Sequence, residues 1–180
     1  HMFLFGRSFI PTHNSQTSAA FLLWFAMFYE DKTILVASNH NGNAMELINR
    51  MQYMFEELPM WLKPGVNPDG WNKHEIGFDN GSRILSQATT EKTGRGLSIS
   101  VVFVDELAFI RPSIQQAFWT SISPTLSTGG FCIITSTPNG DSDLFAELWR
   151  GALAGVNGFK HLFVDWRKVP GRDEKWAETE

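Results

Sequence analysis

Val101-Val102-Phe103-Val104-Asp105-Glu106 reads as a strand that delivers two adjacent carboxylates at its carboxyl end. Four consecutive β-branched or aromatic residues suit a strand covered on both faces. Two carboxylates at such a tip can divide the labour of a metal-assisted hydrolysis. Asp105 would stand behind a magnesium ion, and Glu106 would polarise the attacking water. The competing reading is a core strand that ends in an acidic turn, so the choice rests on the rest of the chain.

At 180 residues, 43% hydrophobic, with seven Trp and fifteen Phe, the chain is long enough for one domain with a substantial core. Its net charge of −4 argues against a generally basic nucleic-acid coat and leaves room for a local basic patch. The single cysteine, Cys132, cannot form an internal disulfide, which fits a reducing cytosol. It sits in the apolar run Gly130 to Thr135 and reads as a small buried hydrophobe. The longest apolar stretch, Ala19 to Tyr29, is too short to span a bilayer, so no membrane partner is expected.

Working outward, Ser18 to Tyr29 is apolar almost all round, as in a helix buried against a sheet. Thr33 to Ser38 is a short buried strand. Ala44, Leu47, Ile48, Met51, Met54, Phe55 and Leu58 then recur at helical spacing, and Pro59 and Pro64 end that helix. Segments His74 to Asp79 and Ser82 to Ser86 flank Asn80-Gly81, a strong hairpin signal. Residues 88 to 98 form a loop carrying Lys92 and Arg95. A helix is expected from Pro112 to about Ile122, and a strand over Phe131 to Thr135. Asp141 or Ser142 would cap a further helix through Leu153, and Phe159 to Asp165 would be the last strand. Buried strands alternating with helices predict an α/β fold, a mainly parallel sheet with helices on both faces. Ligands of such sheets gather at the carboxyl ends of the strands.

Those pieces, in order, resemble one family. Val101 to Ile110, Ile133-Ile134-Thr135-Ser136-Thr137-Pro138-Asn139-Gly140, Trp71-Asn72-Lys73, Asp79-Asn80-Gly81-Ser82 and Gly94-Arg95-Gly96 are similar to segments of the large terminase subunit that packages DNA into tailed-phage heads. The resemblance runs from about Ser15 to Trp166. It implies a P-loop NTPase of the additional-strand class that uses ATP and Mg2+, with Asp105 as the magnesium-associated aspartate and Glu106 as the catalytic glutamate. It makes Thr135, Ser136 and Thr137 the motif coupling hydrolysis to DNA movement, and Ser15, Gln16 and Thr137 nucleotide contacts. Arg95, eleven positions before Glu106, falls where some members carry an arginine finger for the neighbouring subunit; the alternative is a solvated loop arginine. Trp71 and Trp166 read as packing residues. The implied partners are double-stranded DNA, the portal ring, the small terminase subunit and identical subunits in a ring, in the host cytoplasm.

One departure is large. A P-loop needs Gly-x-x-x-x-Gly-Lys-[Ser/Thr] before its helix, yet no Gly-Lys pair precedes Ser15. The chain reads Phe9-Ile10-Pro11-Thr12-His13-Asn14-Ser15-Gln16 instead. Apolar residues followed by His-Asn-Ser resemble the carboxyl-terminal splice junction of an intein. There Asn14 would attack its own carbonyl, His13 would assist, and Ser15 would receive the upstream flank. Ser15 also stands where the P-loop hydroxyl belongs, bound to magnesium, so a flank ending in Gly-Lys would complete the motif.

The domain reading is therefore 1–14 as intein remnant or leader, 15–168 as a terminase ATPase domain, and 169–180 as a linker toward an absent nuclease domain. Its first strand and P-loop lysine are expected to be missing. A complementary intein half is an implied partner, and the chain as given is expected to hydrolyse ATP poorly. Two alternatives stay open: an intein fragment whose business is splicing at Asn14-Ser15, and a helicase-like P-loop translocase.

Overall fold

Along β6 (Val101–Asp105) the side chains alternate between two cores, as the period of two requires. Val101 and Phe103 join Leu22, Leu23, Ala26, Ile48 and Met51 on one face. Val102 and Val104 join Phe118, Ile122, Leu144, Phe145 and Leu148 on the other. The first face is covered by α1 (His13–Phe28) and α2 (Asn41–Glu56), the second by α3 (Pro112–Ser127) and α4 (Leu144–Leu153). Phe103 is fully buried, a burial that contributes about 2–3 kcal/mol. The computed structural model describes the backbone of residues 2–7, 13–127, 129–164 and 167. Trp166 and the linker expected over 169–180 lie outside the described residues, as do the side chains of His13 and Asn14.

The sheet has eight strands in the order β3-β4-β5-β2-β6-β7-β1-β8. β2 (Thr33–Ser38), β5 (Arg83–Ala88), β6, β7 (Phe131–Ser136), β1 (Met2–Arg7) and β8 (Phe159–Val164) run parallel. Only β4 (Glu75–Phe78) is reversed, against β5 on one side and β3 (Val66–Asn72) on the other. The expected α/β architecture with helices on both faces is what the chain adopts. Among the described residues, no helix is long and apolar enough to cross a membrane.

Asn80-Gly81 makes the expected turn, with Gly81 at φ 80°. Asn80 does more than turn the chain. Its Nδ2 donates to the carbonyls of Ala26, Met27 and Tyr29 at 3.0, 3.2 and 3.3 Å. Those carbonyls lie at or just past the end of α1, where helix carbonyls lack partners. Trp71 packs as expected, its ring 5.2 Å from that of Phe55. Cys132 is buried, and burial pushes its thiol pKa well up, so it is an inert core residue.

Four details correct the sequence reading. First, the first strand is not missing: Met2–Arg7 forms β1, inserted in parallel between β7 and β8, with Met2 opposite Cys132 and Phe159. Met2-Phe3-Leu4-Phe5 supplies the unbroken apolar run that a strand flanked on both sides requires. Second, α1 starts at His13, five residues before Ser18, because the polar residues ahead of the apolar run complete its first turns. Third, β3 was not foreseen, since Pro68 and Gly70 both disfavour a strand interior. Pro68 is tolerated because the strand lies at the sheet edge. Gly70 lets the two strands come close there: a Cβ on it would lie 3.2 Å from the Gly77 Cα of β4, a tight contact. Fourth, the cap of α4 is Asp143, not Asp141 or Ser142, its Oδ1 accepting from the Ala146 N–H at 2.8 Å.

Candidate active site

Strand parity places the first site residue. Asp105 follows Val101 and Phe103 onto the face covered by α1, where Ser15 sits in the first turn. Ser15 is 3% exposed, and its Oγ donates to both carboxylate oxygens of Asp105, at 3.0 and 3.2 Å. Thr135, paired with Asp105 across the β6–β7 ladder, donates its Oγ1 to Asp105 Oδ1 at 2.5 Å. The helix, the acidic strand and the strand carrying Thr135 thus meet at one carboxylate, as the sequence order implied.

Glu106 leaves the strand in the left-handed region, at φ 55° and ψ 47°, which costs a non-glycine residue about 1–2 kcal/mol. Its N–H donates to the Thr135 carbonyl at 2.8 Å, which holds the strained residue in place. This turn breaks the strand's alternation, so the carboxylates of Asp105 and Glu106 reach the same cavity. The backbone N–H and Oγ1 of Thr137 both donate to Glu106 Oε2, at 3.3 Å each. Residue 137 therefore touches the candidate base directly.

The loops after β6 and β7 are tied by further bonds. Ser136 Oγ accepts from the Ala108 N–H at 3.1 Å, and Asn139 Nδ2 donates to the Ala108 carbonyl at 3.2 Å. The strongest tie is Gln115 of α3, 1% exposed. Its Nε2 donates to the Leu107 and Ile110 carbonyls at 3.1 and 2.6 Å, and its Oε1 accepts from the Leu144 N–H at 2.9 Å. One buried amide thus joins the turn after Glu106 to the start of α4. Gln115→Met keeps the volume and leaves three backbone groups without that partner. It should destabilise the chain by about 2–4 kcal/mol in urea unfolding; a loss below about 0.5 kcal/mol would contradict this reading.

A cavity of about 240 Å³ opens between these tips and α2, lined by Ser15, Asn43, Glu46, Leu47, Arg50, Asp105 and Glu106. Asp105 and Ser15 offer hard oxygen donors, the chemistry that Mg2+ takes. Among the described residues no group of three or more His, Cys, Asp and Glu could hold a metal by itself.

Two expected site residues stand apart. Gln16 is exposed on α1 and does not line the cavity. Arg95 is exposed too, on the turn over residues 91–96, and it likewise does not line the cavity. Its mount is firm. Thr93 is buried, its Oγ1 donates to the Ala88 carbonyl at 2.8 Å, and its own carbonyl accepts from Ser121 Oγ at 3.1 Å. Gly94 holds φ 79° where a Cβ would press on Ile99, Ile122 and Leu35 at 3.2–3.3 Å. The sequence reading missed Gln115, Glu46 and Arg50, whose positions depend on helix packing that no local pattern announces.

Comparison with solved structures places the architecture among phage terminases. The ATPase domain of the Thermus phage P74-26 large terminase, in a point-mutant form, aligns with a TM-score of 0.75 at 17% identity, over 99% of this chain and 81% of that one. The HK97 bacteriophage large terminase gives 0.71 at 19%, over 97% and 38%. The large terminase of a thermophilic bacteriophage gives 0.66 at 15%, over 98% and 43%. The chain thus spans less than half the length of the last two proteins. Among sequence families, the profile described as terminase large subunit, T4likevirus-type, N-terminal, matches residues 15–179. The match decides between the terminase and helicase-like readings: the chain belongs to the terminase large subunit family, as part of its amino-terminal domain.

Proposed function

We propose that the chain is the motor domain of a terminase large subunit, hydrolysing ATP to drive double-stranded DNA into a procapsid. The observation that carries this is the convergence of Ser15, Thr135 and Thr137 on the carboxylate pair of Asp105 and Glu106 beside a cavity. Solved complexes of the thermophilic bacteriophage terminase with ATP-γ-S and with ADP support a nucleotide as occupant. Bound magnesium would be held by Asp105 and Ser15 and would neutralise phosphate charge. Glu106 accepts the proton of the attacking water. Because Thr137 holds Glu106 Oε2, the catalytic carboxylate and the coupling segment Thr135-Ser136-Thr137 move together, which is how hydrolysis would reach α4. The working form is a ring of identical subunits on the portal with the small terminase subunit, and a nuclease domain follows the linker at 169–180. The test is packaging by the full-length subunit with portal-bearing procapsids, read as ATP-dependent protection of DNA from added nuclease. Absence of protection in the presence of robust ATP turnover would overturn the assignment.

A second reading concerns residues 1–14. The family match begins at Ser15, immediately after His13-Asn14, and no Gly-Lys pair precedes it. We propose that residues 1–14 are the tail of an intein. The upstream flank is first transferred to Ser15 Oγ as an ester, its bond to the first residue of the complementary intein half breaking and the hydroxyl proton passing to that leaving residue. The Asn14 side-chain nitrogen then attacks its own backbone carbonyl, forming a succinimide and freeing the Ser15 amine, which takes the flank from the oxygen as a peptide bond. The slot now filled by Met2–Arg7 would pass to the strand that precedes Gly-Lys. Mixing with the complementary intein half should produce a species whose mass joins the new flank to Ser15, and Asn14→Ala should abolish its release. An unchanged mass at the junction would refute splicing.

A further inference from the structure

The cavity beside Glu106 has a second wall that the chemistry proposed so far does not use. α2 contributes Asn43, Glu46, Leu47 and Arg50 to it. Among the described residues lining the cavity, Arg50 is the one cation, sharing the lining with three carboxylates: Glu46, Asp105 and Glu106. In this structure its Nε and Nη2 both donate to a single oxygen, Glu46 Oε1, at 3.2 and 2.8 Å. The pair is four residues apart on one helix, and its side chains are 34% and 62% exposed. Such a pair is worth little in water. It also wastes the guanidinium's geometry, since both donors share one acceptor instead of forking onto two oxygens. The backbone beneath is fixed, with Ile48 and Met51 of α2 fully buried, so only the side chain has to swing.

We infer that Arg50 is a phosphate-binding residue of this site, parked on Glu46 and transferred to the polyphosphate when nucleotide enters. The inference rests on the ATPase reading and adds to it a cation from α2. A polyphosphate between Ser15, Asp105 and Glu106 brings several negative charges into a cavity already lined by carboxylates. It offers Arg50 two oxygens at once, a stronger partner than the exposed Glu46. Glu46 therefore competes with the nucleotide for Arg50, and the two residues should act with opposite signs.

The experiment is calorimetric titration of Mg·ATP into the full-length subunit, with inorganic tripolyphosphate as a competitor that has no base or sugar. Arg50→Ala should weaken ATP and tripolyphosphate binding by about tenfold or more, and Arg50→Lys should restore part of it. Glu46→Gln should tighten both by about twofold. If the pair only staples α2, both substitutions weaken binding together or neither changes it, and either result overturns the inference. ATP binding by the unsubstituted subunit with no response to Arg50→Ala removes the Arg50 assignment alone. No ATP binding by the unsubstituted subunit removes the ATPase reading, and Arg50 with it.

Discussion

Glu106→Gln should lower ATP turnover of the full-length subunit by about 10²- to 10⁴-fold, the range supplied by a positioned general base. ATP affinity should change little, because the amide keeps the shape of the side chain and can still accept from Thr137. Glu106 adopts φ 55°, its backbone is bonded to Thr135 and its carboxylate to Thr137, so the group is held in one place at some conformational cost. Strain held at a carboxylate beside a cavity points to a role beyond that of a core turn. Steady-state phosphate release checks this. A Glu106→Gln enzyme within about tenfold of the unsubstituted rate would leave the strain without a function and would move the search for the base elsewhere.

Arg95→Ala should be at least as damaging, by about 10³- to 10⁵-fold in turnover, if it serves as a finger for the neighbouring subunit. Within one chain Arg95 does not line the cavity, so a role in its own site is not supported. Its exposed side chain stands on a turn pinned by Thr93 and Gly94, which presents the guanidinium outward on a rigid base. The decisive assay mixes two inactive proteins. Glu106→Gln subunits still carry Arg95, and Arg95→Ala subunits still carry Glu106, so mixed rings contain some complete sites. Activity should reappear on mixing. Failure of the mixture to recover, or a nearly normal rate for Arg95→Ala alone, would count against the finger.

Much of the fold was legible because β2, β6 and β7 are continuous apolar runs and α2 has clear helical spacing. Asn80-Gly81 announced its own hairpin. The edge strand β3 was not legible, since Pro68 and Gly70 both disfavour a strand interior and only the edge position and the approach of Gly77 explain them. The start of α1 was hidden in the same way, because His13-Asn14-Ser15-Gln16-Thr17 carries no apolar period. Within the site, Ser15, Asp105, Glu106 and the segment after β7 were readable from sequence order and family resemblance. Gln115 and the Glu46–Arg50 pair were not. A glutamine in a helix reads as surface until the backbone groups it joins are known, and an i,i+4 ion pair reads as ordinary helix decoration until the rest of the cavity is in view. β1 is the instructive case. Met2-Phe3-Leu4-Phe5 has strand chemistry, yet the splice-junction reading of the segment pointed away from the sheet. The strand fills the slot while the sequence still withholds the lysine.

One assay tests whether Ser15, Asp105 and Glu106 form part of an ATPase site completed by an upstream Gly-Lys. Phosphate release from Mg·ATP would be compared for the 180-residue chain and for residues 15–180 joined at Ser15 to an upstream strand ending in Gly-Lys. The joined protein should hydrolyse ATP, and the unjoined chain should be slower by about 10²-fold or more, as loss of a principal phosphate-stabilising group implies. Equal rates in the two proteins, or no hydrolysis in either, would contradict the account.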